Sequence, residues 1–108
     1  MNGIYYIQFG VPGNGGVGLV VLSDGKAHGG DASYLYAGEY EGQPGGFTAK
    51  IDVSHWNGPH NNIFGNVEKI SLEMEGEEKG PGLIVGSGHP VGSADQMIFE
   101  MQKLRDLA

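Results

Sequence analysis

The sequence predicts an all-β protein: one domain of eight antiparallel strands, closed up-and-down into a single barrel. Three observations carry the prediction. Several segments alternate strictly between apolar and polar residues, the pattern of a strand with one dry and one wet face. Twenty-one glycines separate apolar stretches without the period of three that marks collagen. In a helical bundle each internal glycine costs roughly 1 kcal/mol relative to alanine, whereas short strands, tight turns and bulges accommodate them. Finally, turn signals recur between the apolar stretches: Pro12-Gly13-Asn14-Gly15, Asp24-Gly25 and Gly42-Gln43-Pro44-Gly45.

Taken in order, strands are expected at about 3–9, 16–22, 26–31, 33–41, 46–55, 68–76, 80–89 and 96–105. Ile4 to Phe9 and Val17 to Leu22 are apolar on both faces, which suggests an outer face covered by a second subunit. Asp24-Gly25, between Leu22 and Lys26, is the strongest hairpin signal in the chain. Tyr34, Tyr36 and Tyr40 share one face of the fourth strand. In the fifth, Phe47, Ala49, Ile51 and Val53 alternate with Thr48, Lys50, Asp52 and Ser54. In the sixth, Ile70, Leu72 and Met74 alternate with Ser71, Glu73 and Glu75. The only sizeable loop is Trp56 to Val67. Met97, Phe99 and Met101 define the last strand; a short helix over 97–107 is the weaker alternative, because the segment follows a glycine-rich turn and pairs naturally with Leu83 to Val85. A meander of short connections closes most simply by pairing its first and last strands, which removes the exposed edges.

Composition narrows the function. A chain of 108 residues suits one domain, 1–108, with one core. There is no cysteine, hence no disulfide and no thiolate metal site. No basic segment followed by an apolar stretch opens the chain, and runs such as Leu19-Val20-Val21-Leu22 are too short to span a bilayer, so a soluble cytoplasmic protein is expected, without membrane attachment. Thirteen acidic residues against six basic ones, only one of them arginine, give a net charge of -7. Phosphate neutralisation and base reading depend on Lys and Arg, so direct nucleic-acid binding is disfavoured and a protein partner is the expected route to any effect on gene expression.

No catalytic apparatus is recognisable, and an enzyme is not expected. No serine sits in a strand-turn-helix context, and Gly86-Ser87-Gly88 is read as a β-bulge. Glu73 with Glu75, and Glu77 with Glu78, lie on a wet face and in a turn, where nothing raises a carboxyl pKa for acid catalysis. The glycine-rich Gly10 to Gly16 lacks the lysine and helix of a phosphate loop. His28, Asp31, His55, His60 and His89 are the candidate metal ligands, but no pair has a zinc-finger or helical spacing, so neither a metal nor any other cofactor is expected. Trp56 and Phe64, beside His55, form either an aromatic binding patch or a cap over the barrel mouth. Gly29-Gly30-Asp31 reads as a structural corner, with Asp31 accepting hydrogen bonds from nearby backbone N–H groups.

An eight-stranded barrel either fills with side chains or leaves room for one small ligand. The rows expected to face inward, and so to line a pocket for a small apolar ligand as in calycin carriers, are Val17, Leu19, Val21, Phe47, Ala49, Ile51, Val53, Ile70, Leu72, Met74 and Phe99.

In order along the chain, Asn2-Gly3-Ile4-Tyr5, Gly16-Val17-Gly18, Asp24-Gly25-Lys26, Gly29-Gly30-Asp31, Tyr36-Ala37-Gly38, Phe64-Gly65 and Gly86-Ser87-Gly88 resemble the GrlR-like family, negative regulators of bacterial type III secretion. The resemblance covers nearly the whole chain and rests on order and spacing. It implies a lipocalin-like barrel with an apolar cavity, a tendency to form homodimers, and regulation of transcription by sequestering an activator protein. One departure stands out. The family's characterised regulator has an acidic run between its fourth and fifth strands, where this chain has Glu41-Gly42-Gln43-Pro44-Gly45-Gly46 with a single acid. The remaining acidic cluster, Glu73, Glu75, Glu77 and Glu78, is the candidate partner-binding surface.

Overall fold

A computed structural model describes residues 1–108. Its strands are β1 (Gly3–Val11), β2 (Asn14–Ser23), β3 (Lys26–Gly30), β4 (Tyr34–Gln43), β5 (Gly46–His55), β6 (Lys69–Gly80), β7 (Leu83–Pro90) and β8 (Met97–Arg105). Each pairs antiparallel with the next, and β8 pairs with β1, so the sheet closes into an eight-stranded barrel with no free edge. The C-terminal segment is a strand, not a helix. No helix is long and apolar enough to cross a membrane.

The meander gives the barrel two unlike ends. At one, β2–β3, β4–β5 and β6–β7 are joined by two-residue turns, Asp24-Gly25, Pro44-Gly45 and Pro81-Gly82. At the other lie the Pro12-Gly13 turn and three longer connections, 31–33, 56–68 and 91–96. We call these the turn end and the loop end. The residues preceding β1 close the turn end. The Tyr5 hydroxyl donates to the Met1 carbonyl at 2.9 Å, the Tyr40 hydroxyl to Asn2 Oδ1 at 3.2 Å, and Asn2 Nδ2 to Asp24 Oδ1 at 2.9 Å.

Fifteen buried hydrophobic residues form one core cluster, with Leu22 and Ile84 completely enclosed. Part of the wall depends on missing side chains. Phe47, Gly76, Gly86 and Phe99 are successive ladder partners across β5 to β8, and the two phenyl rings meet edge-to-face at 6.1 Å. A Cβ on Gly76 would lie 2.7 Å from Phe47 Cε1 and 2.8 Å from Ile84 Cγ2. Glycine there lets the aromatic side chains lie across the strand instead of beside it.

Two expectations are corrected. Leu19 and Val21 face outward, and Val17 is half exposed at the rim; the inward positions of β2 are Gly16, Gly18, Val20 and Leu22. A strand apolar on both faces carries no phase, and a one-residue slip exchanges its faces. What decides the phase is room: a Cβ on Gly18 would lie 2.8 Å from the Tyr36 hydroxyl, and one on Gly16 2.8 Å from Phe9 Cε2. Those two rings occupy the interior that larger β2 side chains would need. The bulge expected at Gly86-Ser87-Gly88 is also absent; the ladder there is regular, and the register shifts instead between Glu78 and Gly80.

Candidate functional site: an apolar cavity at the loop end

Closing eight strands leaves a cavity of about 260 Å³ inside the barrel, and twenty of its 26 lining residues are hydrophobic. Of the residues predicted to line it, Phe47, Ala49, Ile51, Val53, Leu72 and Met74 do so along β5 and β6, and Val17 contributes at the rim. Ile70 packs against the core without reaching the cavity. Phe99 is buried against Phe47 outside the lining, and Leu19 and Val21 lie on the outer surface. Alternation therefore gives the inward phase of β5 and β6, but not which inward residues reach the cavity, as Ile70 shows.

The loop end completes the wall with residues the sequence reading did not assign to a pocket. Phe9 and Tyr36 meet edge-on at 6.4 Å, and Asn61, Asn62, Ile63 and Phe64 of the 56–68 loop also line the cavity. The inward face of Tyr34, Tyr36 and Tyr40 was visible as a period of two, and all three reach the cavity.

Asp31 organises this end. Its Oδ1 accepts the backbone N–H groups of Ser33 at 2.8 Å and Tyr34 at 2.7 Å, and its Oδ2 accepts the Tyr36 hydroxyl at 2.5 Å. The adjoining backbone is compact: a Cβ on Gly29 would lie 2.0 Å from the Leu19 carbonyl oxygen, so only glycine permits that approach of β3 to β2. The long loop is then tied to the 31–33 turn. Trp56 N–H donates to the Ser33 carbonyl at 2.9 Å, Trp56 Nε1 to the Asp31 carbonyl at 3.2 Å, and Asn57 Nδ2 to the Ala32 carbonyl at 3.3 Å. Trp56 thus anchors the loop from outside, half exposed, while Phe64 faces the cavity.

The electrostatics of the cavity are quiet. Asp31 is the only acid in its lining, and no base lines it. Burial, the hydrogen bond to Asp31 and the Asp31 charge all push the Tyr36 phenol well above its ordinary pKa, so it remains a neutral donor. The Tyr34 hydroxyl donates to the Val67 carbonyl at 2.7 Å. No buried side-chain nitrogen or oxygen lacks a partner, so the cavity offers a ligand shape and apolar contact rather than a waiting hydrogen bond.

The other candidate residues lie outside the cavity. Glu73, Glu75 and Glu77 follow one another along the outer face of β6, and Glu78 sits at the register shift near the turn end. His28 is exposed on β3, and His89 pairs across the ladder with Glu73. Only His55 and His60 come together, and they do so with a residue absent from the sequence-based set, Glu68. The available signal was topological: antiparallel pairing sets residues that flank a loop side by side, and His55 N–H indeed donates to the Glu68 carbonyl at 2.8 Å. Compared with known proteins, the chain matches no protein-family model and no curated protein sequence.

Proposed function

We propose that the protein is a non-enzymatic binding protein that takes one small apolar molecule into the barrel. The observation that carries this reading is the apolar cavity of about 260 Å³ inside the barrel, with every buried polar group already paired. Its size falls between the ~150 Å³ apolar void that admits benzene and the ~300–1,000 Å³ of pockets for drug-sized ligands. Asp31, the one acid present, has both oxygens committed to the turn and to Tyr36, which leaves it no role as a general base. An environment-sensitive apolar fluorophore, N-phenyl-1-naphthylamine, should bind saturably at one site and be displaced by short alkanols. Ala49→Phe and Met74→Trp, two independent ways of filling the cavity, should each abolish the signal in folded protein. Absence of saturable binding, or binding unchanged in both variants, would reject the reading.

A second reading has its own observation. Part of the outer face of β1 to β4 is an apolar patch: Tyr6, Leu19, Gly30 and Leu35 are successive ladder partners, and Ile4, Val21, His28 and Ala37 form the next row. Leu19 and Leu35 are each 49% exposed. Contiguous exposed apolar surface of this kind suits a protein partner. It fits a cytoplasmic homodimer that sequesters a transcriptional activator, as the GrlR-like resemblance implies, with the β6 acids meeting a basic surface of the activator. Light scattering should show a dimer that Leu19→Ser dissociates, and affinity capture from the native host should recover a DNA-binding activator. A monomeric wild-type protein with no activator recovered would remove this reading. The two readings coexist if the ligand tunes partner binding.

A further inference from the structure

We propose that His55, His60 and Glu68 form a binding site for one divalent transition-metal ion of the zinc class at the rim of the loop end. The site is distinct from the cavity and does not depend on either functional reading.

The scaffold brings the donors together. His55 is the last residue of β5, and Glu68 immediately precedes β6. The backbone hydrogen bond between them fixes their separation. His60 comes from the intervening loop, and one donor atom from each of the three residues lies within 4.8 Å of the others. The His55 side chain is only 15% exposed and packs edge-on against the Tyr34 ring, with centroids 5.5 Å apart.

The hydrogen-bond chemistry selects the ligand atoms. His55 Nε2 lies 2.7 Å from the Gly58 carbonyl oxygen, which can only accept, so Nε2 carries the proton. In the neutral ring that leaves the Nδ1 lone pair free, and Nδ1 lies 3.9 Å from Glu68 Oε2. A carbonyl holding the non-ligating nitrogen is the usual support of a metal-bound histidine. His60 Nε2 is hydrogen-bonded to the same Oε2. Two imidazoles and one carboxylate make a donor set suited to Zn²⁺, Co²⁺, Ni²⁺ or Cu²⁺, whereas Mg²⁺ and Ca²⁺ favour all-oxygen shells.

Coordination asks for one rearrangement. The two imidazole rings are stacked, with centroids 3.7 Å apart and planes 20° from parallel, so their lone pairs do not converge on one point. Zn–N and Zn–O bonds of about 2.0–2.2 Å place tetrahedral donors roughly 3.3–3.6 Å apart. Swinging the His60 side chain, which is carried by a loop and 42% exposed, breaks its Nε2–H hydrogen bond to Glu68, and transfer of that proton to Nδ1 through solvent frees the Nε2 lone pair for the shared centre. Three protein ligands leave the fourth position to water.

The test uses tag-free, metal-stripped protein titrated with ZnCl₂ by calorimetry, and with CoCl₂ by visible absorption. One equivalent of Zn²⁺ should bind, and Co²⁺ should develop the intense bands of a four-coordinate site. His60→Ala and Glu68→Gln should each weaken Zn²⁺ binding by at least about 10-fold. His28→Ala combined with His89→Ala should leave it unchanged. Circular dichroism checks that the variants fold; His60 is an exposed loop residue, so its removal leaves the barrel intact. Failure to take up one equivalent of Zn²⁺, or uptake undiminished by both His60→Ala and Glu68→Gln, would overturn the proposal. Fluorophore binding in the cavity is read separately and is unaffected by either outcome.

Discussion

The two ends of the barrel are built from different materials. At the turn end, two-residue turns bring neighbouring strands together directly, and Asn2, Tyr5, Tyr40 and Asp24 close the space with hydrogen bonds that tie the start of the chain to β1, β4 and the β2–β3 turn. At the loop end, strands are joined by longer connections, and closure depends on one carboxylate, Asp31, and on loop residues that line the cavity. The first is a packed plug and the second an assembled rim. Stability is therefore expected to concentrate at one end and binding at the other, since regions that admit ligands are drawn from the less stable parts of a fold.

The largest effect should come from the packed end. Ile84 is completely enclosed near the Pro81-Gly82 turn and does not line the cavity. Ile84→Ala should cost about 3–4 kcal/mol in urea unfolding. Phe64→Ala, at the rim, should cost no more than about 1.5 kcal/mol, because the ring is only partly buried. Equal losses would erase the distinction between the ends.

Removing the organiser of the rim comes next. Asp31→Ala deletes the acceptor of two backbone N–H groups and of the Tyr36 hydroxyl, and should cost about 2 kcal/mol. Asp31→Asn retains the Oδ1 acceptor and should recover roughly half of that loss. Hydrogen exchange should accelerate in 31–34 and 56–64 while the turn-end amides keep their protection.

Alkaline titration probes both ends together. Burial raises the Tyr5 pKa at the turn end, and burial with the Asp31 hydrogen bond raises that of Tyr36 at the loop end. Each folded-state pKa lies above the unfolded value near 10, so their contribution is fully present below pH ~10 and is lost as pH rises beyond it. Absorbance at the phenolate band should show these two tyrosines ionising late. Tyr36→Phe should flatten the alkaline fall in stability more than Tyr5→Phe does.

The smallest effect is expected on the outer wall. Leu35→Ser should change monomer stability by less than about 0.5 kcal/mol, since the side chain is half exposed and points away from the core. A larger loss, dependent on protein concentration, would place Leu35 in a dimer interface instead.

Most of this architecture was legible as periodicity. β5 and β6 alternate between apolar and polar residues, and β8 does so from Phe99 to Gln102, so Phe47, Val53, Leu72 and Met101 reveal their inward phase without a structure. β2 does not, because Val17 to Leu22 is apolar throughout, and its orientation is set by Phe9 and Tyr36 from other strands. The bulge was misplaced for a related reason. Glycine signals room for a neighbour as readily as a break in the ladder, and at Gly86 that neighbour is the β6 backbone: an added Cβ would lie 2.0 Å from the Glu75 carbonyl oxygen. The His55–His60–Glu68 cluster spans a loop whose path no local pattern specifies, so two of its members were named and the third was not.

The seam between β1 and β8 has a kinetic consequence. Every other pairing joins strands consecutive in the chain, so seven hairpins can zip from local contacts. Only the seam, where Ile7 meets Met101, must bring remote segments together, and the entropy of loop closure makes it the slow search of the folding reaction. The barrel is thus a ribbon with one late clasp. Because Ile4 and Arg105 lie side by side across that clasp, joining the chain ends and reopening the chain at Pro44-Gly45 would convert the slowest pairing into a hairpin and move the search elsewhere in the same circle.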